Sequence, residues 1–238
     1  MKPAKLSGLS IAIDGPAGAG KSTTAKMLAR ELRIVYVDSG AMYRAVAWKC
    51  NEDAIPLNDP ERIAAEAAQI SIEFIPSRSE NEPQRIVADG IDITNEIRTP
   101  EMSRLASTVS VIPAVREALV AKQRALGQAG AVVMEGRDIG TVVLPDADVK
   151  IFLTASIDNR AQRRTLELRQ KGDATATLDS VRAEIAERDR RDMTRAVSPL
   201  RAADDAVTLN NDSMTAREVV EFILDLCAKK TAQQDIER

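Results

Sequence analysis

The sequence predicts an α/β fold, in which helices cover both faces of a mostly parallel β-sheet. Two observations lead to this prediction. Short apolar runs rich in β-branched residues alternate with longer helical patterns over most of the 238 residues. One stretch, residues 70–94, breaks that order and alternates apolar with polar residues, which indicates a small antiparallel insertion. Ligands of parallel sheets of this kind bind beyond the carboxyl ends of the strands.

The chain begins with a strand–loop–helix unit. Residues 9–14 form an apolar run, glycines follow, and KSTTAKMLARELR continues as a helix. A second strand, IVYVDSG, leads into the helical pattern SGAMYRAVAWKCNE, for which Ser39 is the predicted N-cap. The next helix, DPERIAAEAAQI, has Asp59 as its cap and Pro60 in its first turn.

The middle of the chain contains the predicted insertion and two further helices. Asp89-Gly90 lies between two short alternating runs, and this dipeptide is typical of a tight hairpin. Helical patterns follow near residues 100–110 and 112–127.

Three more strands and three more helices are predicted in the last part of the chain. The strands are AVVMEG, VKIFLTA and AVTLNN. The helices are SIDNRAQRRTLELRQKG, which ends at Gly172, then TLDSVRAEIAERDRRDMTR, which stops near Ser198-Pro199, and finally TAREVVEFILDLC.

The composition excludes several classes of protein. There is no run of about 18 apolar residues and no signal-peptide core, so we expect a cytoplasmic protein without a membrane partner. Cys50 and Cys227 are expected to be small core residues of a protein in a reducing compartment. Histidine is absent, which excludes His-based triads, His metal sites and histidine acid–base catalysis.

The charge is unevenly distributed along the chain. The net charge is −3, but residues 160–201 carry 11 Lys and Arg against 7 Asp and Glu. A localised basic segment suits a small polyanion better than a nucleic-acid polymer, which we therefore exclude as a partner. The alternative is that these charges belong to a solvated helix surface.

Residues 15–22, GPAGAGKS, match the phosphate-loop motif G-x-x-x-x-G-K-[ST] between a strand and a helix. Glycines let backbone N–H groups turn inward as an anion nest, and the helix N-terminus adds a favourable dipole. Lys21 is placed to reach the β- and γ-phosphates, and the Ser22 hydroxyl to meet Mg²⁺. The motif predicts a nucleoside triphosphate site with Mg²⁺ as cofactor, built from Gly15, Pro16, Ala17, Gly18, Ala19, Gly20, Lys21, Ser22 and Thr23.

The motif leaves three classes of function open: a small-molecule kinase, a GTPase-type switch, and an ATPase coupled to mechanical or assembly work. The sequence contains no Asn-Lys-x-Asp motif for reading guanine, and no long apolar strand that ends in Asp-Glu. A kinase needs a second, acceptor site with its own cations, and the sequence offers candidates for one.

Three groups of residues are candidates for the acceptor site. DSGAMYR supplies Asp38, Ser39, Tyr43 and Arg44, and EGRDIG supplies Arg137 and Asp138. On the predicted late helix, residues at i, i+3, i+4 and i+7 share one face, namely Arg188, Arg191, Asp192 and Arg195. A similar face carries Arg160, Arg163 and Arg164.

Some of these residues also have simpler structural explanations. Glu184–Arg188 and Glu187–Arg191 are i,i+4 pairs of the kind that stabilise an exposed helix. Tyr43 is equally compatible with core packing. Charges at the end of a buried strand beside a phosphate loop are harder to explain by structure alone.

These motifs resemble those of the bacterial cytidylate kinases, a family of P-loop nucleoside-monophosphate (NMP) kinases. The resemblance covers residues 8–225 and rests on IDGPAGAGKST, VDSGAMYRA, VREAL, EGRDIGTVVLPDADVKIFL and RDRRDMTRAVSPL. It implies a three-layer P-loop NTPase fold with a five-stranded parallel sheet, a small antiparallel NMP-binding insertion, a helical lid and a monomeric state. The implied division is a core of residues 1–58, 106–155 and 199–238, an insertion at 59–105, and a lid with arginine-rich helices at 156–198.

The resemblance also implies a reaction and residue roles. ATP and CMP, or dCMP, would give ADP and CDP, or dCDP, within pyrimidine nucleotide metabolism. The catalytic residues would be Lys21, Arg44, Arg137 and Arg195, and the lid residues that bind ATP would be Arg160 and Arg164. The CMP-binding residues would be Ser39, Tyr43, Arg44, Ser107, Arg116, Arg137, Asp138, Arg188, Asp192 and Arg195. Glu135 stands where some members have Asp, which leaves open how it meets magnesium.

Within that set, Ser107, Arg116 and Asp138 would read cytosine, and Arg188 and Asp192 would hold the ribose. Cytosine presents an amino donor beside two acceptors, so a carboxylate and a hydroxyl can accept while an arginine donates. Uracil reverses this pattern and would leave a buried carboxylate facing a carbonyl. The remaining rivals are a kinase for UMP or for a non-nucleotide such as shikimate, and a non-catalytic nucleotide-binding regulator.

Overall fold

The computed structural model describes residues 8–76, 84–128 and 130–236, except for the side chains of 233–236. The chain divides into two compact units. The first comprises Met1–Ile34 with Gly130–Arg238, and the second Val35–Ala129.

The first unit contains four strands and four helices in the described residues. The strands are β1 (Ser10–Asp14), β6 (Val132–Gly136), β7 (Val149–Thr154) and β8 (Val207–Asn210). The helices are α1 (Lys21–Leu32), α6 (Ile157–Gln170), α7 (Leu178–Thr194) and α8 (Ala216–Ile236). β1 pairs in parallel with β6 on one side and β7 on the other, and β7 pairs in parallel with β8.

Strand β1 is buried on both faces, as expected for an inner strand of a parallel sheet. Ile11, Ala12 and Ile13 are at most 1% exposed. In register, Asp14 at the end of β1 lies opposite Gly136 at the end of β6. This pairing brings the start of the phosphate loop and the EGRDIG segment to the same edge of the sheet.

The second unit contains the remaining strands and helices. Its strands are β2 (Val35–Asp38), β3 (Ile72–Ile75), β4 (Arg85–Ala88) and β5 (Ile91–Asp92). Its helices are α2 (Ser39–Glu52), α3 (Pro60–Gln69), α4 (Pro100–Val109) and α5 (Pro113–Gln128). A five-stranded sheet has the order β2-β6-β1-β7-β8, and a three-stranded sheet the order β3-β4-β5. The predicted α/β class with a small antiparallel element is therefore confirmed.

The hairpin predicted at Asp89-Gly90 joins β4 and β5, which pair antiparallel. Both residues have left-handed backbones, with φ of 48° at Asp89 and 81° at Gly90, as a tight hairpin turn requires. This hairpin and α3 fall inside residues 59–105. The predicted limits of the insertion and of the lid remain predictions.

One local expectation is wrong. The N-cap of α2 is Asp38, not Ser39, because the Asp38 carboxylate accepts a hydrogen bond from the Ala41 N–H and Ser39 is the first helical residue. The predicted end of α7 before Ser198-Pro199 is confirmed, since the helix ends at Thr194 with Arg195 as its C-cap. The Arg195 guanidinium lies 3.6 Å from Asp192, three residues earlier.

Cys50 and Cys227 are free thiols buried in the core, as the sequence predicted. Burial raises the pKa of Cys50 to about 11 and the pKa of Cys227 to about 12, so both remain protonated near neutral pH. Among the described helices, we find none with the length and apolar character that a membrane crossing requires.

Candidate active site

The phosphate loop joins β1 to α1 and depends on three glycines with positive φ. These are Gly15 at 148°, Gly18 at 75° and Gly20 at 90°. A Cβ at Gly15 would lie 2.0 Å from the carbonyl oxygen of Leu153, so the backbones of the loop and β7 come too close for any side chain. Gly20 is the N-cap of α1, and among the described residues no side chain caps the N-terminus of this helix. The first turn of α1 is therefore suited to an anion.

Lys21, the first residue of α1, is folded back over the loop. Its Nζ donates a hydrogen bond of 2.7 Å to the carbonyl oxygen of Pro16, and the residue is 6% exposed. The pKa of Lys21 is lowered to about 7, mainly by burial and next by the nearby Arg137, while Glu135 opposes the shift. A phosphate anion in the loop would favour the charged form of this amine.

Asp14, which was not among the predicted site residues, fixes the segment that follows β6. Its two carboxylate oxygens accept hydrogen bonds from the backbone N–H groups of Ile139, at 2.8 Å, and Gly140, at 2.7 Å. Residues Ile139–Val143 form a single π-helical turn. Arg137 and Asp138 lie between the end of β6 and this turn, so the Asp14 carboxylate helps to set where both point.

The pKa of Asp14 is raised from its ordinary 3.8 to about 6, mainly by burial, with its two backbone hydrogen bonds opposing the shift. A carboxylate with a raised native pKa stabilises the fold while protonated, and this stability is lost as pH rises through the native pKa. We therefore expect wild-type stability relative to Asp14→Asn to fall by about 2 kcal/mol between pH 4.5 and 7 and then to level off. Urea unfolding of both proteins from pH 4.5 to 7.5 measures this difference.

The exposed Asp146 provides the control for that experiment. An Asp146→Asn variant should keep the same stability difference from wild type at each pH. A pH-independent difference for Asp14→Asn would contradict the raised pKa of Asp14.

Four predicted acceptor residues of the first unit come together beyond β6. Arg137 Nε donates a 2.8 Å hydrogen bond to Oδ2 of Asp192. The guanidinium of Arg195 lies 3.6 Å from Oδ1 of Asp192 and 3.5 Å from Oδ1 of Asp138. We call Arg137, Asp138, Asp192 and Arg195 the acceptor cluster. It combines two cations and two carboxylates whose side chains are between 5% and 17% exposed.

The arginines and the carboxylates of the acceptor cluster stabilise each other's charges. Burial alone would raise the pKa of Asp192, but Arg137 and Arg188 outweigh burial and hold it below its ordinary value. Arg188 also acts on Lys21, where it favours the neutral amine. Arg188 of α7 is therefore electrostatically coupled to both the acceptor cluster and the phosphate loop.

Three of the four arginines of α6 were candidates, and they have different surroundings. Arg160 is 7% exposed and bonds to the carbonyl oxygens of Ala155 and Ala17 and to Asp189. Arg163 donates to the side chain and the carbonyl oxygen of Asn211. Arg164 pairs with Glu167 one turn along the helix, at 2.8 Å, and is partly exposed.

Arg190 and Arg191 belong to the helix surface. Both pair with Glu187, at 2.9 and 3.1 Å, with partly exposed side chains. The structural explanation given for the Glu187–Arg191 pair is thus correct. Arg191 was a candidate for the acceptor site by its position on the helix face, but the CMP-binding residues that the resemblance implies do not include it.

In the second unit, the DSGAMYR segment positions Arg44. Asp38 caps α2 with one carboxylate oxygen and accepts a 2.8 Å hydrogen bond from Arg44 Nη2 with the other. A Cβ at Gly40 would come within 3.2 Å of both side chains, so this arrangement favours glycine there. Among the described residues, Arg44 Nε is buried without a hydrogen-bond partner. A buried unpaired donor on a cation is well suited to an anionic ligand.

Arg116 is 2% exposed, and its guanidinium lies 5.5 Å from the ring centroid of Tyr43. Arg116 Nη1 also donates, at 3.4 Å, to the carbonyl oxygen of Ser110, whose hydroxyl donates to the Ser107 carbonyl oxygen. Tyr43 is part of the hydrophobic core of this unit, so its packing role is real. Ser39 and Ser107 are also buried, at 5% and 8% exposure.

Three residues with evident structural roles at the site were absent from the sequence predictions. Asp14 anchors the turn after Asp138, Asp189 binds the Ala17 N–H, and Asn211 Nδ2 donates to the Ala19 carbonyl oxygen. Asp189 stands inside the charged segment RDRRD, which was the one available signal. Asp14 and Asn211 carry no local signal of their roles.

Comparison with known proteins gives a family for this arrangement. A family model described as cytidylate kinase matches residues 11–229. The cytidylate kinase of Desulfitobacterium hafniense (strain Y51) is 50% identical over 218 residues, which cover 92% of each chain. A bifunctional pantoate ligase/cytidylate kinase of Synechococcus sp. (strain JA-2-3B'a(2-13)) is 49% identical over 216 residues. That match covers 91% of this chain but 40% of the Synechococcus protein, so the chain spans about two fifths of the length of such relatives.

Among solved structures, an uncharacterized protein from Eubacterium ventriosum ATCC 27560 has a similar fold. The TM-score is 0.51 at 12% identity, and the superposition covers 93% of this chain and 99% of the other. At this identity the likeness concerns the fold alone.

Proposed function

This chain belongs to the cytidylate kinase family, and on that premise we propose that it transfers the γ-phosphoryl group of ATP to CMP or dCMP. The products would be ADP and CDP or dCDP, as a step in pyrimidine nucleotide metabolism. The observation that carries the proposal is the acceptor cluster at the end of β6, in register with the start of the phosphate loop at the end of β1. We further propose that the protein acts as a cytoplasmic monomer.

The phosphate loop is the proposed site of ATP. Residues 15–23 would surround its phosphates with backbone N–H groups, and Lys21 would exchange its hydrogen bond to Pro16 for one to a phosphate oxygen. Glu135 supports the positive charge on Lys21. Arg164 is the lid arginine that we assign to ATP, because its partly exposed pair with Glu167 costs little to break.

Magnesium is the proposed cofactor, bound together with ATP. Ser22 is exposed in the first turn of α1, and its hydroxyl is an oxygen ligand of the kind that magnesium prefers. The residue present therefore fits the ion. Bound magnesium would supply neutralisation of phosphate charge.

For the acceptor, we assign Arg44, Arg137 and Arg195 to the phosphate of CMP and the group in transfer. The unpaired Nε of Arg44 and the presence of two arginines in the acceptor cluster support this assignment. Arg188 and Asp192 would hold the ribose, and Ser107, Arg116 and Asp138 the base. Ser39 and Tyr43 complete the proposed set of CMP-binding residues. Asp138 is 5% exposed, so a mismatched base would leave its carboxylate without a donor from the ligand.

Catalysis in this proposal is positioning and charge stabilisation. The acceptor phosphate is already mostly ionised at pH 7, so no side chain has to remove a proton from it. Lys21 and the arginines would hold donor and acceptor in line and stabilise the charge that spreads over the transferring group. Lid closure would exclude water and limit hydrolysis of ATP.

A panel of acceptors tests the proposal. ADP release is measured with ATP and magnesium in the presence of CMP, dCMP, UMP, AMP or shikimate. We expect CMP or dCMP to give the highest kcat/KM. A higher kcat/KM for UMP or shikimate would refute the acceptor assignment. ADP release that no acceptor stimulates would refute the proposal that the protein is a kinase.

A further inference from the structure

We propose that Asp189 and Arg160 form a clamp that positions the phosphate loop by holding both sides of Ala17, and that neither side chain binds the nucleotide. This assigns Asp189 a role and gives Arg160 a different role from the ATP contact that the family resemblance implied. The inference rests on the proposed function only in taking the loop as the triphosphate site.

Among the described residues, the polar contacts of the clamp side chains all lie within the first unit. The Ala17 N–H donates to Asp189 Oδ1 at 3.2 Å, and Arg160 Nη1 donates to the Ala17 carbonyl oxygen at 3.0 Å. Arg160 and Asp189 also pair with each other, with Nη1 and Oδ2 2.5 Å apart. Arg160 Nε donates to the Ala155 carbonyl oxygen. The third residue of the loop is thus bound at both its donor and its acceptor.

The clamp is buried, which makes it sensitive to the loss of either partner. The two side chains are 8% and 9% exposed. Desolvating two charges is costly, and removing one partner of a buried pair leaves the other charge uncompensated. Such a pair is well suited to hold one loop conformation.

Close packing supports the same role. A Cβ on Gly18 would lie 3.2 Å from the Cβ of Arg160, and Gly18 has a φ of 75°. The loop therefore passes directly against the base of the Arg160 side chain. Helices α6 and α7, which carry the two clamp residues, share a small apolar core of Ala161, Leu168, Ala176, Val181 and Ile185.

The clamp links nucleotide binding to the arginine-rich helices. Helix α7 supplies Asp189 to the loop and Asp192 to the acceptor cluster. The position of one helix therefore sets the geometry of both sites. A loop whose conformation is fixed in advance loses less entropy when its N–H groups bind phosphates.

The first test is the affinity for the ATP analogue β,γ-imido-ATP with magnesium, measured by calorimetry without any acceptor. We expect Asp189→Asn and Arg160→Met each to weaken binding at least about tenfold, and the double variant to be no weaker than the worse single variant. The control is Glu187→Gln, which removes a carboxylate from the exposed surface of the same helix and should bind like wild type.

A second variant separates positioning from simple stability. Arg160→Met with Asp189→Leu replaces the buried pair by apolar side chains, which commonly preserves or raises stability. We expect it to melt no lower than wild type but still to bind the analogue at least about tenfold more weakly.

Each result decides between the alternatives. Wild-type affinity in Asp189→Asn with loss in Arg160→Met would identify Arg160 as a nucleotide ligand and overturn the clamp. Wild-type affinity in the apolar double variant would also overturn it. If wild type itself fails to bind the analogue, the proposed function fails instead.

Discussion

The Lys21→Ala variant is expected to lose phosphoryl transfer to every acceptor, with kcat lowered by at least about a thousandfold. Lys21 is the cation of the phosphate loop, and its amine lies within 2.7 Å of the loop backbone. Without it, the charge that develops on the transferring group loses a preorganised partner. Steady-state ADP release with saturating ATP and CMP measures the effect.

The loss should not come from unfolding. Burial already disfavours the charged amine of Lys21, as its lowered pKa shows, so removing it relieves a desolvation cost. The matched control is Lys49→Ala, which breaks an i,i+4 pair with Asp53 at the surface. Lys49→Ala should retain wild-type kcat, and a melting temperature of Lys21→Ala close to wild type would confirm its fold. Activity within tenfold of wild type in folded Lys21→Ala would contradict its role.

The Asp138→Ala variant is expected to lose most of its preference for CMP over UMP, with the ratio of kcat/KM values falling by about 100-fold. Asp138 is almost fully buried and lies 3.5 Å from the Arg195 guanidinium. In our proposal its carboxylate accepts from the amino group of cytosine and meets a carbonyl of uracil. Removing the carboxylate removes both the hydrogen bond from cytosine and the unfavourable contact with uracil.

The measurement is kcat/KM for CMP and for UMP in wild type and variant. Asp146→Ala removes an exposed carboxylate eight residues further along the same segment and should leave the ratio unchanged. An unchanged ratio in Asp138→Ala would show that Asp138 does not read the base, even if overall activity fell.

Much of the fold could be predicted because its signals are local. The phosphate loop follows from glycine and helix-terminus chemistry within eight residues, and Asp89-Gly90 between two alternating runs predicted the hairpin between β4 and β5. The parallel sheet followed from strands that alternate with helices. The sequence also singled out Arg137 and Asp138, because EGRDIG follows a buried strand and charge at that position has few structural uses, and their role in binding an acceptor stays a prediction.

The rest depends on contacts between distant parts of the chain. Asp189 is 172 residues from Ala17, and Asp14 is 126 residues from Gly140. A window of sequence contains only one partner of each pair, so the periodicity of a helix or strand cannot reveal the bond. For the same reason, nothing in the local sequence distinguishes Arg160 from the other arginines of α6.

The end of α7 was predicted to within one residue, but the bonds that fix the chain after it were not. The Leu200 N–H donates to the Asp192 carbonyl oxygen, and Arg195 Nε donates to the Ser198 carbonyl oxygen. These bonds turn the chain out of the helix after Thr194. Arg195 leaves the helix but still reaches both carboxylates of the acceptor cluster.

The central claim is that the γ-phosphoryl group of ATP moves to a cytidine monophosphate. The most direct measurement follows the label from [γ-³²P]ATP with magnesium, with CMP in one reaction and UMP in a second at equal concentration. Our account predicts that the label appears in CDP within the first turnovers, and far more slowly in UDP. Label that appears in inorganic phosphate at the same rate with and without CMP, or that enters UDP faster than CDP, would contradict it.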